Sequence, residues 1–273
     1  LSPEVKKAKP EALVEAGRTR RLALLFIHHP DDSKFAPLTS FLMSGPFMDR
    51  SVIALLNRKF IPVKISRSSG ELKKLGVTLH PLVAGTLLFV DGGAKPVFQY
   101  DLMAPITDEF VFDLGLRVLQ KHGNYDHPSE ETRKVMDSKG DDAPHLLRLG
   151  VNHLGDGKGG EARKIFEGII ARFPTSDEAA GSGLYLAYLH RRIRNARESY
   201  EAMALAEQRD PGDRLKIRDD LRVEKALLQI REGRQTEALQ TLKECAIQYP
   251  DSDRMAELFY LTGALQFLEG DPG

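Results

Sequence analysis

The sequence has one cysteine, no tryptophan, no excess of either charge and no apolar run of membrane-spanning length. Each shortage removes a class of function. Cys245 alone cannot form an internal disulfide, run a two-cysteine redox cycle or build a zinc site mainly from thiolates. Lys plus Arg number 39 and Asp plus Glu 39, so the formal charge is zero, and long-range attraction to nucleic acid or anionic lipid has no support. Aromatic residues make up 7% without tryptophan, thin material for stacking on bases. The longest apolar stretches, residues 22–27 and 82–90, fall far short of the ~20 residues that cross a bilayer. Both read as buried strands, and neither a transmembrane segment nor a nucleic-acid partner is expected. The chain opens at Leu1 rather than Met, without a basic, apolar and small-residue leader; this reads as a trimmed or processed form, from which a signal peptide or lipid anchor could have been lost.

What is present is the balance of a globular protein, 41% hydrophobic and 29% charged over 273 residues, and at ~150 residues per domain that length predicts two domains. Residues 3–20 read as a helix with Pro3 near its start and Gly17 near its end. The compact run 22–27, followed by His28, His29, Pro30, Asp31 and Asp32, reads as a central strand leaving into a polar loop. Asp49 is placed to cap a helix over 50–59, whose Val52, Ile53, Leu55 and Leu56 share a face. Strands are predicted at 60–65 and 86–90, a short helix at 71–75, and a hairpin through Asp91, Gly92 and Gly93 into a strand at 96–100. A helix over 107–122 closes this α/β half. Residues 123–142 lose apolar content and read as a linker with a short helix at its middle. After Ala143 every segment has helical period.

The helical half repeats. Leu146, Leu149 and Gly150, a turn through Gly155 and Gly157, then Ala162, Phe166 and Pro174 make up one unit. This resembles the tetratricopeptide pattern, with L-G in the first helix, A-x3-F in the second and a closing proline. Gly150 and Ala162 are small so that paired helices approach, Phe166 fills the space between them, and Pro174 stops the second helix. Ala196 with Tyr200 and Ala238 with Leu242 read as the same signature in later units. The first step, Ala162 to Ala196, is 34 residues and matches the family period; the second, to Ala238, is 42 and implies a longer turn near Asp210 and Pro211. Phe173 with Pro174 and Tyr249 with Pro250 open near-identical junctions, and a last helix over 256–269 opens a fourth unit or caps the array. The resemblance covers 143–269 and implies an all-α repeat domain over 143–273 that binds a protein or peptide. The aromatic-Pro-x-Ser-Asp junction is similar to repeats of bacterial cell-envelope proteins, which implies a periplasmic or secreted location over a cytoplasmic one.

Over residues 20–122 the first half resembles a thioredoxin-like α/β domain, which implies such a domain over 1–122. Phe47, Asp49 and Val52, then Leu55, Leu56, Asn57 and Phe60, are similar to landmarks that follow a W-C-x-x-C motif in that group. Counting back by the family's spacing puts the redox motif on Phe35, Ala36, Pro37, Leu38 and Thr39. Ala36 then stands for the nucleophilic cysteine, Thr39 for the resolving one and Phe35 for tryptophan. Thiol exchange needs a thiolate and a second thiol, so the resemblance implies a redox-inactive domain that keeps a peptide groove. The family's cis-proline aligns with Pro81 counting from Val77, or with Gly85 counting from Asp91. Cys245, on a helix of the repeats where a small buried residue is wanted, reads as packing.

Three other groupings carry candidate chemistry. His28, His29, Asp31 and Asp32, with His80 across the sheet, could bind metal or serve acid-base chemistry together with Thr39; adjacent histidines on an extended strand point opposite ways, which favours a polar capping loop. The run from His190 to Arg197 reads as a solvated basic face offsetting a helix dipole. Gly155 to Gly160 lacks the Gly-Lys-Ser/Thr ending of a phosphate loop and reads as an inter-helix turn. No cofactor is expected. The expectation is a redox-inactive binding or scaffolding protein, with an enzyme at the His28, His29, Asp31 and Asp32 loop as the alternative.

Overall fold

A computed structural model describes residues 6–7, 10–29, 47, 49–80, 83, 85–102 and 106–269. The chain divides into two compact units: Leu1–Glu131 with Gly155–Gly157, and Thr132–Leu154 with Lys158–Gly273.

The first unit is a mixed sheet with helices on both faces. Its elements run β1 (Lys6–Lys7), α1 (Pro10–Thr19), β2 (Leu22–His28), α2 (Arg50–Lys59), β3 (Phe60–Ser66), α3 (Gly70–Lys74), β4 (Gly85–Val90), β5 (Pro96–Leu102) and α4 (Asp108–His122). Strand order is β1-β3-β2-β4-β5. The first three strands are mutually parallel, while β4 is antiparallel to β2 and β5 to β4. Four strands are of full length; β1 is a two-residue edge. The expected helix over 3–20 is corrected here. It begins at Pro10, and Lys6–Lys7 are extended on β3. Proline has no N–H to donate to a preceding turn, so it is tolerated at a first helical position and not inside a helix.

Period-2 alternation assigns the sheet's two cores. Leu22, Leu24, Phe26, Phe60, Leu87 and Phe89 join α2 and α4 on one face. Ala23, Leu25, Ile27, Ile61, Val63, Leu88 and Val90 join α1 and α3 on the other. Burial on both sides is why β2 reads as an unbroken apolar run. Asp49 caps α2, accepting from the backbone N–H of Ser51 at 2.9 Å and Val52 at 3.0 Å. On the opposite face a Cβ added to Gly92 would lie 2.5 Å from Gly17 Cα, so the hairpin turn and α1 meet backbone to backbone.

Beyond α4, the short helix α5 (Glu130–Asp137) occupies the middle of the polar stretch 123–142, with Thr132 and Val135 buried. Three helix pairs follow: α6 (Ala143–Gly155) with α7 (Gly159–Arg172), α8 (Asp177–Arg192) with α9 (Ala196–Arg209), and α10 (Arg218–Arg231) with α11 (Gln235–Gln248). Helix α12 (Met255–Glu269) comes last. Each pair turns through three residues whose middle one has positive φ: Gly157 at 77°, Arg194 at 62° and Gly233 at 76°. The next N–H returns to a carbonyl five residues back, Lys158 to His153, Asn195 to His190 and Arg234 to Gln229, which closes the helix end. Arg194 alone of the three carries a Cβ into the left-handed region, at a cost of about 1–2 kcal/mol. Arg194→Gly is therefore expected to raise stability by about 0.5–1 kcal/mol after glycine's own entropy cost, read as a higher urea midpoint with unchanged m-value.

The interface signature falls on the same positions of all three second helices. Ala162, Phe166 and Ile169 of α7 correspond to Ser199, Met203 and Ala206 of α9 and to Ala238, Leu242 and Cys245 of α11, and all nine are buried. The reading of Ala196 and Tyr200 as the second signature is corrected: Ala196 opens α9, and the interface begins at Ser199. The steps are then 37 residues, Ala162 to Ser199, and 39, Ser199 to Ala238. The excess after α9 forms a loop that bonds to itself. Asp210 accepts from the N–H of Arg214 and Leu215 at 2.9 and 2.8 Å, and Asp213 from those of Ile217 and Arg218 at 3.1 Å each.

Candidate protein-binding surface

Registering the units by their second helices also registers the first helices. Val151 of α6, Tyr188 of α8 and Leu227 of α10 then stand in one row, with Leu147 and Leu184 one turn earlier and Arg192 and Arg231 at the helix ends. Leu147, Val151, Leu184 and Leu227 are half-buried, packed on the core from its edge. The Arg192 guanidinium lies 5.7 Å from the Tyr188 ring centre and donates to its hydroxyl at 3.2 Å. Such a row offers a partner apolar contact along its length and two cations at one end.

The first helices α8 and α10 also carry a buried ionic network that sequence reasoning missed. Arg191 Nε donates to Glu224 at 2.7 Å, the two side chains being 3% and 4% exposed. Arg254, just ahead of α12, reaches Glu224 at 3.6 Å, Asp220 at 3.2 Å and Glu257 at 2.7 Å. Burial alone would lower the Arg254 pKa; Glu257, Glu224 and Asp220 outweigh it and hold the guanidinium above its ordinary value. One carboxylate thus joins the ends of α8 and α12 through the middle of α10. This corrects the reading of 190–197 as a solvated face. Arg197 is exposed and pairs with Glu201 along its own helix, but Arg191 is core, and burial holds His190 below its usual pKa against the opposing pull of Glu198. The available signal was positional: Arg191 falls in register with Leu154 and Ile230, apolar in both neighbouring units.

Cys245 is the third interface residue of α11, with its sulfur 3.8 Å from the Asp219 carbonyl. Burial, helped by Asp219, pushes the thiol pKa up to about 11. At pH 8 only about one molecule in a thousand would carry the thiolate. Accordingly, an aromatic disulfide reagent should leave native protein unmodified over hours and titrate one thiol in urea; stoichiometric reaction of the folded chain would contradict the packing.

In the first unit, His28 Nδ1 lies 2.6 Å from the His29 carbonyl oxygen, and His29 Nε2 lies 2.7 Å from that of Val83. His29 is buried and ties the end of β2 to the residues before β4. His80 is exposed, and its carbonyl accepts from Arg67 at 2.8 Å. Among the described residues, no three or more His, Cys, Asp or Glu side chains are grouped to hold a metal, and no helix is long and apolar enough to cross a membrane. Asp31, Asp32, the stretch Phe35, Ala36, Pro37, Leu38 and Thr39, and Pro81 lie outside the described residues.

Compared with known families, the chain matches the tetratricopeptide repeat over residues 222–252. That is the third unit, from within α10 through α11 to the Tyr249 and Pro250 junction. No curated protein matches the chain.

Proposed function

We propose that this protein is a binding or scaffolding protein, which holds a protein or peptide partner on the first-helix row of its repeats and carries a redox-inactive thioredoxin-like unit, in a bacterial cell envelope. The row from Leu147 to Leu227, half-buried and recurring in register, carries the reading, and the tetratricopeptide match at 222–252 supports it. The thioredoxin-like assignment rests on strand order and direction. The order β1-β3-β2-β4-β5, with β4 alone running against the other four strands and helices on both faces, is compatible with that fold and supports the reading. Redox inactivity rests on Ala36 and Thr39 standing where the resemblance places the two thiols. The envelope location rests on the Phe173 and Tyr249 junctions alone. The alternative, chemistry at the His28, His29, Asp31 and Asp32 loop, has less behind it, since both imidazoles lie against backbone carbonyls.

The test is retrieval by the full chain. Bait carrying Leu147→Glu and Leu184→Glu, with native circular dichroism, should lose partners that wild-type bait retrieves from an envelope extract; equal retrieval by both would refute the surface. Catalytic reduction of insulin by the wild-type chain would refute redox inactivity.

A further inference from the structure

Helix α12 has two unlike faces. Leu258 and Leu265 are buried in the core shared with Leu242 and Cys245 of α11. On the other side Phe259 and Phe267 stand 65% and 78% exposed, with Gly263 midway between them. Spacing by fours sets the three on one stripe, and a Cβ built on Gly263 meets no atom of the described residues within 4 Å.

Register says what such a stripe is for. The junctions at Phe173 and Tyr249 align α12 with α8, putting Gly263 on Ala187 and Phe259 on Gly183. In α8 that side is covered by the unit's second helix. A Cβ on Gly183 would lie 3.0 Å from that of Ala206, and Ser199 donates to the Ala187 carbonyl at 2.8 Å. The counterpart in α6, Gly150, is covered by the Phe166 ring, which a Cβ would meet at 2.5 Å. The stripe therefore continues a face that each earlier unit packs with a helix.

We propose that this stripe seats a second copy of the chain, α12 crossing α12 antiparallel about a two-fold axis at Gly263. It is its own complement: Phe259 and Phe267 are equidistant from Gly263, so an antiparallel copy sets Phe259 of one chain against Phe267 of the other and glycine against glycine. The missing Cβ lets the two axes approach closely, and the phenyl rings seal both ends of the crossing. Charge does not oppose it. Between residues 255 and 267 the only ionic side chain is Glu257, which Arg254 engages at 2.7 Å and which lies roughly 120° around the helix from Gly263. Four phenyl rings at about 150–250 Å² each leave the contact below the standard interface size, so the dimer is reversible and weak.

Sedimentation of the full chain should show monomer and dimer in exchange with a dissociation constant on the order of 10–100 µM. Gly263→Leu, whose Cβ would meet no atom of the described residues within 4 Å, should weaken the dimer at least about tenfold by blocking the close approach, as should Phe259→Asp. Geometry is tested by cysteines. Gly263→Cys should cross-link to itself, and Phe259→Cys should link to Phe267→Cys when the two are mixed but not when either is alone; Gly160→Cys, exposed on α7, sets the background. A chain that stays monomeric at about 300 µM, where such a dimer would predominate, overturns the proposal. Cross-linking no faster than that of Gly160→Cys overturns it as well.

Discussion

Replacing Glu224 by alanine is expected to lower the stability of the repeat unit by about 3–5 kcal/mol, the usual loss when one partner is taken from a buried ion pair. The reason is what remains. Arg191, 3% exposed, loses the carboxylate that its Nε reaches at 2.7 Å, while Arg254 loses one of three. A guanidinium cannot shed its charge as a lysine or histidine does, so the unit must admit water or unfold. Urea denaturation followed at 222 nm measures the loss. The variant replacing the pair together, Arg191→Met with Glu224→Leu, should recover most of it, because no unpaired charge is then left inside. A loss below about 1 kcal/mol for Glu224→Ala, the range of exposed pairs, would show that the network is wet.

Phe166→Ala should cost about as much, some 3–5 kcal/mol, as transfer energy and cavity add. Its ring is wholly buried, stacks on Tyr185 at 5.2 Å between centres and sits in the notch left by Gly150. Ring and notch are one feature, so Gly150→Ala should itself cost about 1–3 kcal/mol by overpacking. Combining Gly150→Ala with Phe166→Leu should cost measurably less than the two separate losses, a coupling of 0.5 kcal/mol or more on the scale of about 0.5–3 kcal/mol seen for residues in contact. Strict additivity would mean that the two residues do not share the space.

These two sites differ in how far the sequence announced them. Phe166 was legible because aromatic size at A-x3-F spacing serves one purpose, filling the gap between paired helices. The sheet was legible for a similar reason: the run at 22–27 is apolar on both faces, and Asp49 ahead of an apolar helical face has few uses besides capping. Arg191 was not, because a basic run at a helix end looks the same whether it is solvated or one member turns inward; only the register of Leu154 and Ile230 separates the cases. The middle unit misled on the same ground. Ala196 matches the family's alanine, yet the interface uses Ser199, whose hydroxyl is satisfied by the Ala187 carbonyl at 2.8 Å. Small volume, and not apolar character, is what the position demands. The start of α1 is not legible in sequence, because Pro3 and Pro10 are equal candidates for a first helical residue until β1 claims Lys6–Lys7. The loop after His29, the motif position and Pro81 are read from residue identity and spacing alone.

The spacer between α9 and α10 bears on how this array tolerates rebuilding. Because Asp210 and Asp213 gather four backbone N–H groups within the spacer and the first residue of α10, its length is set by its own bonding and not by slack between helices. A module inserted at the short junction after α7 would meet a connector of ordinary length. The same module spliced in after α9 would have to sever that clasp, so neighbouring units of this chain are not interchangeable parts.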